Sequence, residues 1–199
     1  LKGSASESLL DTYEQERKPV AEFNAKQSLA NSKMVGRITS LALKGESADE
    51  AISDSKKYGN FAGMELGYYY ESNAVVSDQS DPPLVDDYVA DYVATSRPGH
   101  RIPHHWLDLK QSKSTLDLTN SNLVVLVDEY ESHWEIESEK QIKCIVLEKN
   151  VAKAIGMPLG GCILLRPDGH VGWRSAGDAT NELALGETIN LILGKAVRS

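Results

Sequence analysis

The chain has 199 residues, of which 41% are hydrophobic and 25% are charged, and its net charge is -8. This length suits one large domain or a small domain with an appendage, and the composition is typical of a folded protein. The acidic balance argues against nucleic acid or an anionic membrane as partner, because both require clusters of Lys and Arg. The sequence contains neither a run of about 18 apolar residues nor a signal-peptide pattern. We therefore expect a cytoplasmic protein that does not bind membranes.

Helices are predicted for the first part of the chain. Two overlapping capping boxes, built on Ser4 and Ser8, predict a helix start. Pro19 is expected to end that helix and to begin a second one, because proline favours the first helical position. Gly45 is expected to end the second helix. One face of this second helix carries the apolar residues Phe23, Ala30, Met34, Ile38 and Leu41.

The middle of the chain changes character after a short third helix, which Ser47 and Glu50 would cap. Residues 64–76, "MELGYYYESNAVV", are rich in Tyr and Val and predict a strand. Residues 77–105 contain Pro, Asp and Ser without a sustained period and predict a linker loop. These patterns suggest three parts, with boundaries after residues 76 and 105.

Residues 106–199 alternate between strand and helix patterns. Strands are predicted at 123–127 and 142–147, with an acidic helix around 132–141 between them. A short helix near 151–155, a hairpin closed by "RPDGH" and a final helix complete the order. This order predicts a thioredoxin-like domain, so the whole chain is expected to be α+β or α/β, with N-terminal helices and a short β segment in front of that domain.

Neither cysteine points to redox or metal chemistry. Cys144 and Cys162 lie in apolar strand-like runs, without a CxxC pair and without a histidine at metal-ligand spacing. We expect two buried free thiols and no metal site.

Four stretches carry a family resemblance: "LLDTYEQERKPVAEFNAKQSLANS", "GMELGYYYESNAVV", "RPGHRIPHHWL" and "GGCILLRPDGHVGWRS". In this order and spacing they resemble the C-terminal part of FAD-dependent aromatic-ring hydroxylases, the phenol hydroxylase-like flavoprotein monooxygenases, especially fungal enzymes that tailor polyketides. In that family an N-terminal Rossmann unit with a GxGxxG turn holds the flavin. No GxGxxG occurs in this sequence. We therefore expect that the chain holds no cofactor and is not a monooxygenase on its own.

The candidate site comes from the segment with the most polar and aromatic residues. His104 and His105 are candidate catalytic residues, because two neutral imidazoles can act as acid and base near neutral pH. Candidate substrate-binding residues are Tyr68, Tyr70, Arg101 and Trp106. His133 and His170 have no evident partner in the sequence, and we expect both to be solvated.

Two classes of function follow from the resemblance. In the first, the chain is a cofactor-independent tailoring enzyme that cyclises, isomerises or dehydrates an aromatic or polyketide-like metabolite. In the second, it is a non-catalytic dimerisation or partner subunit, or a fragment, of an FAD-dependent aromatic hydroxylase. We also expect a homodimer, because the helices over residues 8–44 present an apolar face that a monomer would rarely expose.

Overall fold

A computed structural model describes residues 5–55, 59–129, 142–175 and 185–195. The chain divides into two compact units. The first unit comprises Leu1–Gln15, Tyr69–Pro83 and Ala94–Ser199, and the second comprises Glu16–Tyr68 and Leu84–Val93. The boundaries expected after residues 76 and 105 stay predictions.

The long helix α1 spans Asp11–Lys44 and follows a 3-10 turn at Glu7–Leu10. The expected break at Pro19 is wrong, because the helix continues through this residue. A proline inside a helix leaves the carbonyl four residues earlier without its N–H donor. That carbonyl belongs to Gln15, and Gln15 and Pro19 are both exposed, so water can take the place of the missing donor.

Gly45 ends α1 as the sequence predicts. Its φ of 68° lies in the left-handed region that glycine adopts without strain. The N–H of Glu46 donates to the carbonyl of Leu41 at 3.0 Å, and the N–H of Gly45 donates to the carbonyl of Ala42 at 3.1 Å. These two bonds form a Schellman motif, which satisfies the last carbonyls of the helix.

Two short helices follow: α2 over Asp49–Ser55 and α3 over Ala62–Leu66. The predicted strand over residues 64–76 is wrong. Its first three residues belong to α3, and Tyr69 forms an isolated β-bridge with His100. Because strand propensity mainly measures how well a side chain packs on a pleated surface, it does not say how long the pairing will be.

The sheet contains four described strands: β1 over Val124–Asp128, β2 over Lys143–Leu147, β3 over Cys162–Leu165 and β4 over Val171–Arg174. Their order across the sheet is β2-β1-β3-β4. β1 is parallel to β2 and antiparallel to β3, and β3 is antiparallel to β4. Helix α4, Lys149–Ala154, connects β2 to the hairpin, and α5, Leu185–Ile192, follows it.

This arrangement confirms the α+β fold with a thioredoxin-like domain. The acidic helix expected around residues 132–141 lies outside the described residues. Among the described residues, no helix has the length and apolar character needed to cross a membrane.

Apolar clusters cover both faces of β1. Val124 and Leu126 belong to a cluster that includes α4 residues, whereas Val125 and Val127 belong to one that includes α5 residues. This explains why residues 124–127 of β1 are all buried.

The two cysteines differ in burial. Cys162 is a buried free thiol as expected, but Cys144 is exposed, so that expectation is wrong. Cys144 lies on β2, which ends the described sheet and has three exposed residues among its five. The sequence pattern of an apolar run therefore does not distinguish a strand at the sheet edge from a buried strand.

Candidate functional site

The structure places the six predicted site residues in different surroundings. Tyr70 is buried, and Arg101 pairs with His170 in an isolated β-bridge. The ring of exposed His104 meets that of Trp106 edge to face, with centroids 4.6 Å apart.

His105 has a backbone role that the sequence does not reveal. Its N–H donates to Thr115 Oγ1 at 3.0 Å, and its carbonyl accepts from the Thr115 N–H at 2.9 Å. Tyr68 is half-buried and belongs to the second compact unit. The catalytic and substrate-binding roles of all six residues stay predictions.

Two short segments, which we call the sheet extension, continue the sheet beyond β4. Residues 99–102 lie antiparallel to the start of β4, and residues 69–70 lie antiparallel to them. Gly99 donates its N–H to the Val171 carbonyl at 2.7 Å, and Tyr70 donates to the Gly99 carbonyl at 3.0 Å. The sheet extension places the two tyrosines next to the hairpin of the thioredoxin-like domain.

One aromatic stack is built on Tyr70. The His170 ring stacks on it with centroids 4.3 Å apart, and the Arg166 guanidinium carbon lies 5.5 Å from its centroid. Arg166 donates to Asp168 at 2.8 Å, and His170 Nδ1 lies 3.6 Å from Asp168 Oδ1. The expectation that His170 is solvated is wrong, because only 3% of the residue is exposed. His133 lies outside the described residues.

The hairpin turn also supplies a carboxylate, that of Asp168, to the stack on Tyr70. Burial alone would raise the pKa of the Asp168 carboxyl, but the His170 imidazole and the Arg166 guanidinium lower it below its usual range. Asp168 is consequently ionised at neutral pH. It holds two groups that contact the same tyrosine ring.

A second aromatic stack is built on Tyr69. Its ring stacks on His100 with centroids 4.8 Å apart, and the Arg97 guanidinium carbon lies 5.2 Å from its centroid. His100 is 5% exposed. Burial is the main cause that lowers its pKa to about 4, and Arg97, His170 and Arg174 add to the effect. At neutral pH His100 is therefore an uncharged packing residue.

The cations around these stacks also hold the loop beside the sheet. Arg174 donates from Nε to Asp78 and from Nη2 to Ser80 at 3.2 Å. Arg97 donates from Nε to the Ser80 carbonyl at 2.8 Å. Burial alone would raise the pKa of Asp78, but hydrogen bonds from Ser80 and Arg174 lower it.

Sequence reasoning missed His100, His170 and the arginines beside them. A usable signal existed for the hairpin, because Arg166, Asp168 and His170 alternate across a turn whose two strands are antiparallel. No comparable signal links Tyr69 to His100, which lie far apart in the sequence.

A cavity of about 400 Å³ lies elsewhere in the first unit, along β2. Its lining contains Leu107, Lys113 and residues 143–148, and none of the six predicted site residues. Cys144 is among the lining residues, but burial raises the pKa of its thiol. A protonated thiol is a poor nucleophile.

The described residues do not fit FAD. A dinucleotide site needs a glycine-rich turn from a strand into a helix, where backbone N–H groups hold the pyrophosphate. The described turn from β2 into α4 reads Leu147-Glu148-Lys149, without glycine and with a carboxylate. We therefore derive no chemistry through a flavin held by these residues.

Comparison with known proteins decides the family. A family model for the C-terminal part of aromatic-ring hydroxylases matches residues 95–196. The chain belongs to this family. It is 33% identical to a 4-methyl-5-nitrocatechol 5-monooxygenase from Burkholderia sp over 97% of the chain and 37% of that enzyme. It is 30% identical to a tetracenomycin A2 monooxygenase-dioxygenase from Streptomyces glaucescens over 92% of the chain and 33% of that enzyme.

The fold agrees with this family. The crystal structure of the flavin-dependent monooxygenase PieE, in complex with FAD and substrate, matches 98% of the chain and 41% of its own length. The TM-score is 0.76 at 23% sequence identity. The chain thus spans about a third of the length of the curated relatives it matches.

Proposed function

We propose that the chain acts as the C-terminal part of an FAD-dependent monooxygenase whose substrates are phenols or aromatic polyketides. The observation that carries this proposal is the unequal coverage of one alignment. It spans 97% of the chain but only 37% of the Burkholderia monooxygenase. Both curated relatives are monooxygenases by name. Because the described residues do not fit a flavin, the flavin would be held by protein outside the matched part.

The chemistry of the sheet extension supports a structural role. His100 and His170 are buried and stacked on tyrosines, and Asp168 contacts both Arg166 and His170. A general acid or base must reach the proton that it transfers and should titrate near the working pH. His100, with a pKa of about 4, does not meet the second condition.

The cofactor-independent tailoring enzyme is the competing hypothesis. It assigns proton transfer to His104 or His105 and binding to Tyr68, Tyr70, Arg101 and Trp106. Under it, His104→Ala or His105→Ala would lower the turnover of the isolated chain by about 10²–10⁴-fold. Under our proposal the isolated chain has no turnover to lower.

A hybrid enzyme distinguishes the two hypotheses. The part of the Burkholderia 4-methyl-5-nitrocatechol 5-monooxygenase that aligns with this chain is replaced by the chain. We expect the hybrid to purify with bound FAD and to consume oxygen when its aromatic substrate is added. We expect the isolated chain, titrated with FAD, to show no saturable quenching of flavin fluorescence.

Two results would overturn the proposal. One is a hybrid that folds, as judged by circular dichroism, but neither holds FAD nor consumes oxygen. The other is an isolated chain that converts an aromatic or polyketide-like compound without flavin.

A further inference from the structure

The helix α1 is covered unusually little for its length. None of residues 17–44, all of which the structure describes, is buried. The best covered positions are half-buried and recur at helical spacing. They are Val20, Gln27, Asn31, Met34, Ile38 and Leu41. This face includes three of the five apolar residues expected there, whereas Phe23 and Ala30 are exposed.

A second face of α1 is suited to water. It carries four cations, Lys26, Lys33, Arg37 and Lys44, spaced seven, four and seven residues apart. All four are exposed, and Arg37 lies 3.6 Å from Glu50. Residues at these spacings share one side of a helix.

A third face of α1 contains no charged residue over residues 21–43, and we call it the uncharged face. It runs for about 33 Å along the helix at 1.5 Å per residue. Its members are small or apolar and are all exposed: Ala21, Ala25, Ser28, Leu29, Ser32, Val35, Gly36, Thr39 and Leu43. Leu29, Val35 and Leu43 are 56%, 62% and 84% exposed.

Two details indicate that the uncharged face is ready for close packing. A Cβ added at Gly36 would meet no atom within 4 Å. The hydroxyl of Thr39 donates to the Val35 carbonyl at 3.0 Å, so covering Thr39 would not leave this donor without a hydrogen bond. Small residues let another backbone approach closely, and the three larger apolar residues would gain burial.

We infer that the uncharged face of α1 docks against the flavin-binding portion of an aromatic-ring hydroxylase. This inference rests on the proposed function. The occupant follows from chain length, since the relatives extend well beyond the matched part, with 59% of PieE and 63% of the Burkholderia enzyme outside it. Of the two exposed faces of α1, only the uncharged face carries no charged side chain, so covering it leaves no charge buried.

A matched pair of substitutions tests the inference in the hybrid enzyme. Ala25→Asp places a carboxylate on the uncharged face, and Ala30→Asp places the same group at an exposed position outside it. The temperature of FAD release is followed by flavin fluorescence. We expect Ala25→Asp to lower this release temperature by about 5–10 °C. About 1 kcal/mol shifts a melting temperature by 2–4 °C, and burying a charge costs several times as much. Ala30→Asp should change the release temperature by less than about 2 °C.

The isolated chain provides the folding control. Because Ala25 and Ala30 are both exposed, the two variants should melt within about 2 °C of wild type. Val35→Asp serves as a second variant and should behave like Ala25→Asp in the hybrid.

The outcomes separate this inference from the proposed function. If the unmodified hybrid holds FAD and all three variants release it at the same temperature, the docking face is wrong and the proposed function stands. If the unmodified hybrid folds without FAD, the proposed function fails, and the inference fails with it. If light scattering shows that the isolated chain is a dimer which Ala25→Asp dissociates, the occupant is a second copy and the inference is overturned.

Discussion

The sheet extension and α1 differ in how completely the chain covers its own residues. Around the sheet extension, the rings of two tyrosines stack on those of two histidines, and two arginines pair with the carboxylates of Asp168 and Asp78. Along α1 from residue 17 onward, no residue is buried and three large apolar residues are more than half exposed. Substitutions in the first region should therefore change the stability of the isolated chain. Substitutions on the uncharged face should act only once a partner covers it.

The largest effect is expected at Gly99. A Cβ at this position would lie 2.3 Å from the Tyr70 carbonyl oxygen, and the φ of Gly99 is 90°. Gly99→Ala should lower the free energy of unfolding by about 3–5 kcal/mol, because a backbone clash is added to left-handed strain. Urea unfolding measures the change.

Gly169→Ala is the matched control for that substitution. Gly169 has a similar φ of 81°, but a Cβ there would meet nothing within 4 Å. We expect a loss of about 1–2 kcal/mol from strain alone. Equal losses at the two glycines would show that residues 69–70 do not approach Gly99 as closely as described.

The next effect concerns acid. The pKa of His100 is about 4 in the folded protein and 6.5 in the unfolded chain, so the unfolded state binds the proton first. Stability should be full above about pH 6.5 and should fall by up to about 3 kcal/mol as the pH drops to about 4. Unfolding by urea at a series of pH values measures this slope. The carboxyls of Asp78 and Asp168, whose pKa values are lowered, contribute further losses only below this window.

His100→Phe identifies the source of the slope. The phenyl ring can still stack on Tyr69 but does not titrate, so the loss between about pH 6.5 and 4 should nearly disappear. His104→Gln, at an exposed position, should keep the wild-type slope. A slope that survives His100→Phe would assign the acid sensitivity to another group.

A smaller effect is expected at Arg174. Arg174→Met leaves the Asp78 carboxylate partly buried without its guanidinium and should cost about 2 kcal/mol. Adding Asp78→Asn should recover part of this loss, because the uncompensated charge is removed. Lys33→Met, at an exposed position on the face of α1 that carries four cations, should cost less than about 0.5 kcal/mol. If both methionine variants cost the same in chemical denaturation, the contrast between the two regions is wrong.

The smallest effect is expected at Val35. Val35→Ala removes two methyl groups, which in a buried core would cost about 2 kcal/mol. Because Val35 is 62% exposed, we expect a change below about 0.5 kcal/mol in the thermal unfolding of the isolated chain. A core-like loss would show that the chain itself covers the uncharged face.

Local sequence patterns were sufficient for several elements. The strands of the four-stranded sheet, the hairpin turn and the stop at Gly45 depend on neighbours a few residues away. Apolar runs, Pro-Asp-Gly and glycine's positive φ therefore predicted them correctly. The motifs in order also indicated the aromatic-ring hydroxylase family, which the family match confirmed.

The remaining features depend on contacts between distant residues. Proline propensity predicts a break at Pro19, but the cost of the missing bond is small where water reaches the carbonyl. The exposure of Cys144 follows from the position of β2 at the sheet edge, which the order of strands in the sequence does not contain. The sequence predicted a solvated His170, yet pairing with Arg101 and stacking on Tyr70 bury it.

By itself, the sequence determined the class of the fold and the family, because both are written in short motifs. Only the tertiary structure decided which histidines are buried, which carboxyls are held ionised and which face of α1 is left uncovered. Burial and charge pairing are set by residues that lie far apart along the chain, and a single sequence does not record which of them meet.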